Sequence, residues 1–314
     1  MTVRVPLFGA RQIELAVPTD VAVEAVRDAF VSHFRGEWKM PPKTYLTNYP
    51  AGDFRAMPAL GDGHALLKWI TSFPGNPALG LPTVSGVVLL SNAETGELEA
   101  VFEAGAVTAA RTGAAAVLAA ETLGRADAGP ATVVGAGVNG RSAARMFVDR
   151  GRSVAIWDID SRRAAEAAAE LHATVAGSLE EALAADLLVT VTPGHEVLLR
   201  DGSLSAGQHV SLMGADGPGK AEISIAELAR SRVFCDDWEQ ASHSGDISHA
   251  VEAGLIARDD VIQLGAVLAG EAEGRQSQDE ITIFDSTGLA IQDLAVALAC
   301  TERAAGLDLS YIEL

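Results

Sequence analysis

Thr132-Val133-Val134-Gly135-Ala136-Gly137-Val138-Asn139-Gly140 is the stretch that decides how this chain folds. A β-branched run enters a G-x-G-x-x-G turn, and a helical pattern over residues 142–150 follows at once. Gly135 permits the tight turn, Gly137 lets a pyrophosphate approach the backbone, and Gly140 lets the helix pack closely on the strand. The helix N-terminus offers free N–H groups to phosphate. Glycine-rich turns occur in many α/β domains, so context carries the argument. A second strand, Ser153-Val154-Ala155-Ile156-Trp157, ends in Asp158, where a carboxylate grips ribose hydroxyls. Gly135, Gly137, Val138, Asn139 and Asp158 are thus the expected dinucleotide contacts, and Asp158 implies NAD rather than NADP.

Working outward, strand and helix patterns alternate. Strands are expected near residues 132–134, 153–157, 186–191, 208–213 and 232–236, with a weaker one near 173–176. Such alternation predicts a doubly wound parallel sheet of the Rossmann type. Upstream the pattern differs. Val23, Val26, Phe30 and Phe34 recur at helical spacing behind Thr19 or Asp20 as N-cap, and Gly36 ends that helix. Residues 40–53 read as extended and loop-rich. Strand-like runs cover 65–72, 86–91 and 98–103, the last two joined by the hairpin turn Asn92-Ala93-Glu94-Thr95-Gly96. Residues 108–123 read as an alanine-rich helix. A final helix, over about 289–305, is apolar nearly all round, which predicts burial and a return to the N-terminal region.

The expected organisation is a discontinuous α+β domain, residues 1–115 with 289–314. A dinucleotide-binding domain, residues 116–288, is inserted in it. The 314 residues suit two domains. A formal charge of −19 speaks against nucleic acid and anionic membranes as partners. Cys235 and Cys300, the only cysteines, stand in no metal or redox motif, and His195, His209, His243 and His249 show no metal spacing. No metal is expected. The N-terminal Met1-Thr2-Val3-Arg4-Val5-Pro6 has no signal-peptide core, and no apolar run reaches a membrane span, so a cytoplasmic protein is expected.

In so acidic a chain, isolated cations invite attention. Lys68 interrupts Ala65-Leu66-Leu67-Lys68-Trp69-Ile70 and shares a strand face with Leu66 and Ile70. Either it lines a polar cavity, where desolvation makes it a usable acid or base, or it snorkels from an edge strand. Arg111 stands alone among small residues in Ala109-Ala110-Arg111-Thr112-Gly113-Ala114; its planar fork suits a carboxylate, and an exposed helix arginine is the other reading. Asp216 and Lys220 lie in Gly214-Ala215-Asp216-Gly217-Pro218-Gly219-Lys220, just after an expected strand, where doubly wound sheets bind ligands. A turn aspartate capping its own backbone is the alternative for Asp216.

Together with Phe54-Arg55-Ala56-Met57-Pro58-Ala59, Pro74-Gly75-Asn76-Pro77 and Phe284-Asp285-Ser286-Thr287-Gly288-Leu289-Ala290-Ile291-Gln292-Asp293, these segments resemble the ornithine cyclodeaminase/mu-crystallin family, in particular its archaeal-type alanine dehydrogenase branch. The resemblance implies a Rossmann domain inserted into a substrate and dimerisation domain, a homodimer, and a bound nicotinamide coenzyme. It implies that Lys43, Lys68 and Arg111 hold a substrate carboxylate; the family places arginine where Lys43 stands. It implies Asp216 as catalytic acid/base beside Lys68, and coenzyme contacts from Thr112 and Lys220. Arg55 occupies the position where ornithine cyclodeaminases carry a glutamate for the distal ammonium, and a cation there repels ornithine. The expected activity is NAD-dependent oxidation of a small L-amino acid, first of all L-alanine to pyruvate and ammonia. Alternatives are an ornithine- or lysine-type cyclodeaminase that recycles its NAD, a cyclic ketimine (pyrroline-2-carboxylate) reductase, and a non-enzymatic NAD(P)H-holding protein.

Overall fold

The computed structural model describes residues 3–193, 196–215, 217 and 219–314. It divides into two compact units, Met1–Arg111 with Leu289–Leu314, and Thr112–Gly288. In chain order the first unit supplies β1 (Arg4–Phe8), α1 (Ala10–Ala16), α2 (Thr19–Phe34), β2 (Thr44–Asn48), β3 (Gly52–Gly61), β4 (His64–Ser72), β5 (Val84–Asn92) and β6 (Leu98–Glu103). Helix α3 (Ala104–Leu123) carries the boundary within it. The second unit follows with β7 (Ala131–Val134), α4 (Val138–Asp149), β8 (Val154–Trp157), α5 (Ser161–Leu171), β9 (Thr174–Val175), α6 (Leu179–Leu183), β10 (Leu187–Thr190) and β11 (His209–Leu212). It continues through α7 (Ile225–Ala229), β12 (Arg232–Cys235), α8 (Trp238–Ser244), α9 (Ser248–Glu252), β13 (Val261–Gln263), α10 (Leu264–Leu268) and β14 (Thr282–Asp285). The chain then returns to the first unit with α11 (Ala290–Glu302) and β15 (Ser310–Glu313).

The first unit is a seven-stranded sheet in the order β15-β1-β6-β5-β4-β3-β2. Its strands pair antiparallel except β1 with β6. The pleat decides which residues enter the core. On β4, Leu66, Lys68 and Ile70 are buried while Leu67 and Trp69 face outward. Of residues 40–53, read as extended and loop-rich, 44–48 and the start of β3 are regular paired strands, while 40–43 and 49–51 lie outside them. Pro58 stands inside β3, yet β2 pairs with β3 only as far as Ala56, so beyond that point β3 can leave an amide out of the ladder. Pro18 takes the cap position of α2 in place of the expected Thr19 or Asp20. Helix α11 lies buried along Ala290 to Cys300 and packs on α2, β3 and β4.

The second unit is an eight-stranded sheet in the order β13-β12-β14-β11-β10-β7-β8-β9, with every described pair parallel. Strands β7, β10, β11 and β14 are buried along their whole length, as strands covered by helices on both faces must be. The fold is thus a Rossmann-type sheet inserted into an α+β unit. Strands β13 and β14 have no counterpart among the expected strands, and β14 is central, between β11 and β12. Among the described residues, no helix is long and apolar enough to cross a membrane.

Candidate active site

The glycine turn joins β7 to α4. Gly135 has φ +111°, a conformation that glycine alone adopts without strain, and a Cβ there would lie 2.5 Å from the Val191 carbonyl oxygen. A Cβ on Gly140 would lie 1.8 Å from the Gly135 carbonyl oxygen, so loop and helix touch backbone to backbone. A Cβ on Gly137 would meet no atom within 4 Å. Gly137 caps α4 without a side-chain bond, which leaves the first amides of the helix open to a phosphate. Asp158, at the end of β8, turns towards this loop: Oδ2 accepts from the Ala136 amide at 2.7 Å and Oδ1 from the Asp160 amide at 2.8 Å. An open glycine, uncapped amides and a carboxylate at the neighbouring strand end fit a dinucleotide. Val138 is exposed and Asn139 half-buried at the helix entrance. Thr112 is buried with an unpartnered Oγ1, and Lys220 is half-buried beside Gly219.

The cations gather in the other unit. Lys68 is completely buried, and its Nζ donates to Asp293 Oδ1 at 2.8 Å. Arg111, from α3, brings Nε to 3.7 Å from the same oxygen and Nη1 to 3.5 Å from Gln292 Oε1. Two cations therefore share one carboxylate, and the cluster carries one positive charge in excess. Arg111 Nε, Gln292 Nε2 and Asp293 Oδ2 are buried without hydrogen-bond partners. Unpaired donors around a surplus cation suit a carboxylate ligand. Burial lowers the Lys68 pKa to about 8; the Asp293 charge resists this, and the Arg111 and Arg55 charges add to it.

Arg55, on β3, shares the inward face with Lys68 but is already committed. Its Nε donates to Asp53 Oδ1 at 2.7 Å and its Nη2 to Asp53 Oδ2 at 3.2 Å, both side chains buried. Lys43 stands just before β2, half-buried. Asp216 lies outside the described residues, as does His195. The structure thus joins Lys68 to Arg111 through residues that sequence reasoning had not picked out as functional, Asp293 and Gln292. Their signal was a polar pair inside an otherwise apolar helix. His209 is a core residue, bonded to Thr282 and Ser211 at 3.0 Å each and held neutral by burial, its pKa near 3. Among the described residues, no group of three or more His, Cys, Asp or Glu is placed to hold a metal ion.

A model of the ornithine cyclodeaminase/mu-crystallin family matches residues 8–307. The chain belongs to that family. It is 41% identical to the alanine dehydrogenase of Archaeoglobus fulgidus over 307 residues, covering 95% of this chain and 94% of that one. A solved archaeal alanine dehydrogenase dimer with bound NAD superposes with a TM-score of 0.93 at 38% identity, covering 99% of both chains. The iminosuccinate reductase of Paracoccus denitrificans in complex with NAD+ superposes with a TM-score of 0.90 at 30% identity, covering 99% of this chain and all of the other.

Proposed function

We propose that the protein is an NAD-dependent dehydrogenase of small L-amino acids, acting on L-alanine, and that it works as a homodimer. The buried Lys68–Asp293–Arg111 cluster carries this reading, with its single surplus charge and bare donors. Likeness to an archaeal alanine dehydrogenase dimer with bound NAD supports it. NAD, held by the Gly135–Gly140 loop and Asp158, supplies the hydride acceptor when bound.

Arg111, always charged, holds the substrate carboxylate. Lys68, in its neutral form, takes one proton from the substrate ammonium, which frees the nitrogen lone pair. The Cα–H bond then breaks with its electron pair leaving as hydride, and the nitrogen lone pair closes a C=N bond. Water adds to that carbon with loss of a proton, the C–N bond breaks, and pyruvate and ammonia depart. Asp216 is the proposed partner of Lys68 in the proton transfers of the hydration step. A cytoplasmic location belongs to the same reading and draws support from two free, buried thiols.

The test is an incubation with NAD and a panel of amino acids, reading NADH absorbance and ammonia together. NADH and ammonia in equal amounts from L-alanine are expected. Ammonia without NADH identifies a cyclodeaminase, and neither product despite coenzyme binding favours a binding protein or a cyclic ketimine reductase.

A further inference from the structure

Lys68 and Arg111 come from a strand and a helix far apart in sequence, and one carboxylate on a third element joins them. Asp293 lies on α11 with no exposed side-chain surface, 225 residues from the lysine it binds. Only Oδ1 is used; Oδ2 is buried and bare. A carboxylate desolvated to that degree and half satisfied is a costly way to fasten a helix, because an apolar side chain of the same volume packs as well or better. Its placement makes sense if charge on that spot is the point.

The groups around the amine show why. Arg111 faces Lys68 from α3, Arg55 from β3 with Asp53 upon it, and Asp293 from α11. Burial and both arginines drive the proton off Lys68, whereas Asp293 retains it and is bonded to the amine directly. We infer that Asp293 is a positioning residue: it aims the Lys68 amine and the Arg111 guanidinium as one unit and keeps the lysine able to take up and return a proton. This rests on the dehydrogenase reading of the same cluster. With Asp293 neutralised, Lys68 would hold its proton less firmly near neutrality and its amine would lose its fixed direction.

Asp293→Asn keeps the shape and removes the charge. Titrating Lys68 through its 13Cε resonance in lysine-labelled, NAD-loaded protein, assigned with Lys68→Arg, reads the coupling without turnover. The wild-type resonance should move with a midpoint near 8. In Asp293→Asn the midpoint should fall by about one unit or more, and the rising limb of kcat/KM should shift equally, with the KM for NAD unchanged. A midpoint that stays put, or activity lost with an unmoved limb, overturns the inference. Should Asp293→Asn fail to fold, Asp293→Glu carries the test. It displaces the charge by one methylene and should lower kcat at least tenfold; an unchanged kcat overturns the positioning role. Coupling of Lys68 to Asp293 in a protein that oxidises no amino acid sinks the dehydrogenase reading alone, and an active dehydrogenase without that coupling sinks this inference alone.

Discussion

A lysine with no contact to solvent has to be explained by what it does, since desolvating an ammonium costs several kcal/mol and a single carboxylate repays part of it. Lys68→Ala should therefore leave NAD affinity, read by coenzyme fluorescence titration, where it was, and lower kcat by about 10²–10⁴. The pH dependence has a definite sign. In the proposed mechanism Lys68 must be neutral to accept the substrate proton, and burial lowers its pKa to about 8. The rate of amino-acid oxidation should rise with pH up to that value and level off above it, and Lys68→Ala should abolish the limb. A flat profile, or an active Lys68→Ala, removes the lysine from the chemistry. Lys68 was legible in the sequence because strand alternation forces it onto the face of Leu66 and Ile70. Asp293 was not, because nothing local marks which buried cation a helical carboxylate will meet 225 residues away. Arg55 shows the same limit: its type suggested a free cation, but Asp53, two residues earlier on the same strand face, already neutralises it.

At the scale of elements, the turn between β7 and α4 assigns different work to glycines that look alike in sequence. Gly140→Ala puts a methyl group 1.8 Å from the Gly135 carbonyl oxygen, so α4 must shift off its strand; we expect a loss of about 1–3 kcal/mol or more in chemical unfolding. Gly137→Ala meets nothing within 4 Å and has φ −72°, so stability should hold within about 0.5 kcal/mol. Its methyl group occupies the space a pyrophosphate needs, so NAD affinity should fall at least tenfold. Equal stability losses in the two variants would contradict this division. The alternation of strands and helices made the parallel sheet readable, since buried parallel strands are continuous apolar runs. Strand β14 escaped because it ends in Asp285, a charge where a buried strand is expected to be apolar. Strands β2 and β3 escaped for another reason: β2 owes its regularity to pairing with β3, and β3 to pairing with β2 and β4, which nothing local in the sequence announces.

At the scale of the whole molecule, two properties follow from surfaces and charges that no single element explains. The ends of β11, β12 and β14 gather Glu222, Asp246 and Asp285, all buried. Burial raises all three, and the charges of neighbouring carboxylates add to it at Asp246 and at Asp285, which reaches about 8. Carboxyl groups raised in the folded state contribute stability that is complete below about pH 4 and lost as pH climbs towards 8. Melting temperature should accordingly decline from mildly acidic to alkaline pH. Asp285→Asn should flatten that slope and melt about 2–4 °C above wild type at pH 9; an unchanged slope refutes the assignment. The second property concerns the outer face of the first unit's sheet. Cross-strand pairing sets Leu46 beside Phe54, Trp69 beside Ala56 and Val87, and Leu67 beside Pro58. Leu46, Leu67, Trp69 and Val87 are each more than a third exposed, and Leu60 joins them on the same face. A continuous apolar sheet face of this kind suits a protein interface, and in the homodimer proposed above a second copy of the chain would cover it. Trp69→Asp sets a charge at the centre of the patch while leaving Lys68, on the opposite face, untouched. Sedimentation should find a dimer for the wild type and a monomer of unchanged secondary structure for the variant. A variant that remains dimeric would mean that the copies join through another surface and that this apolar face serves something else.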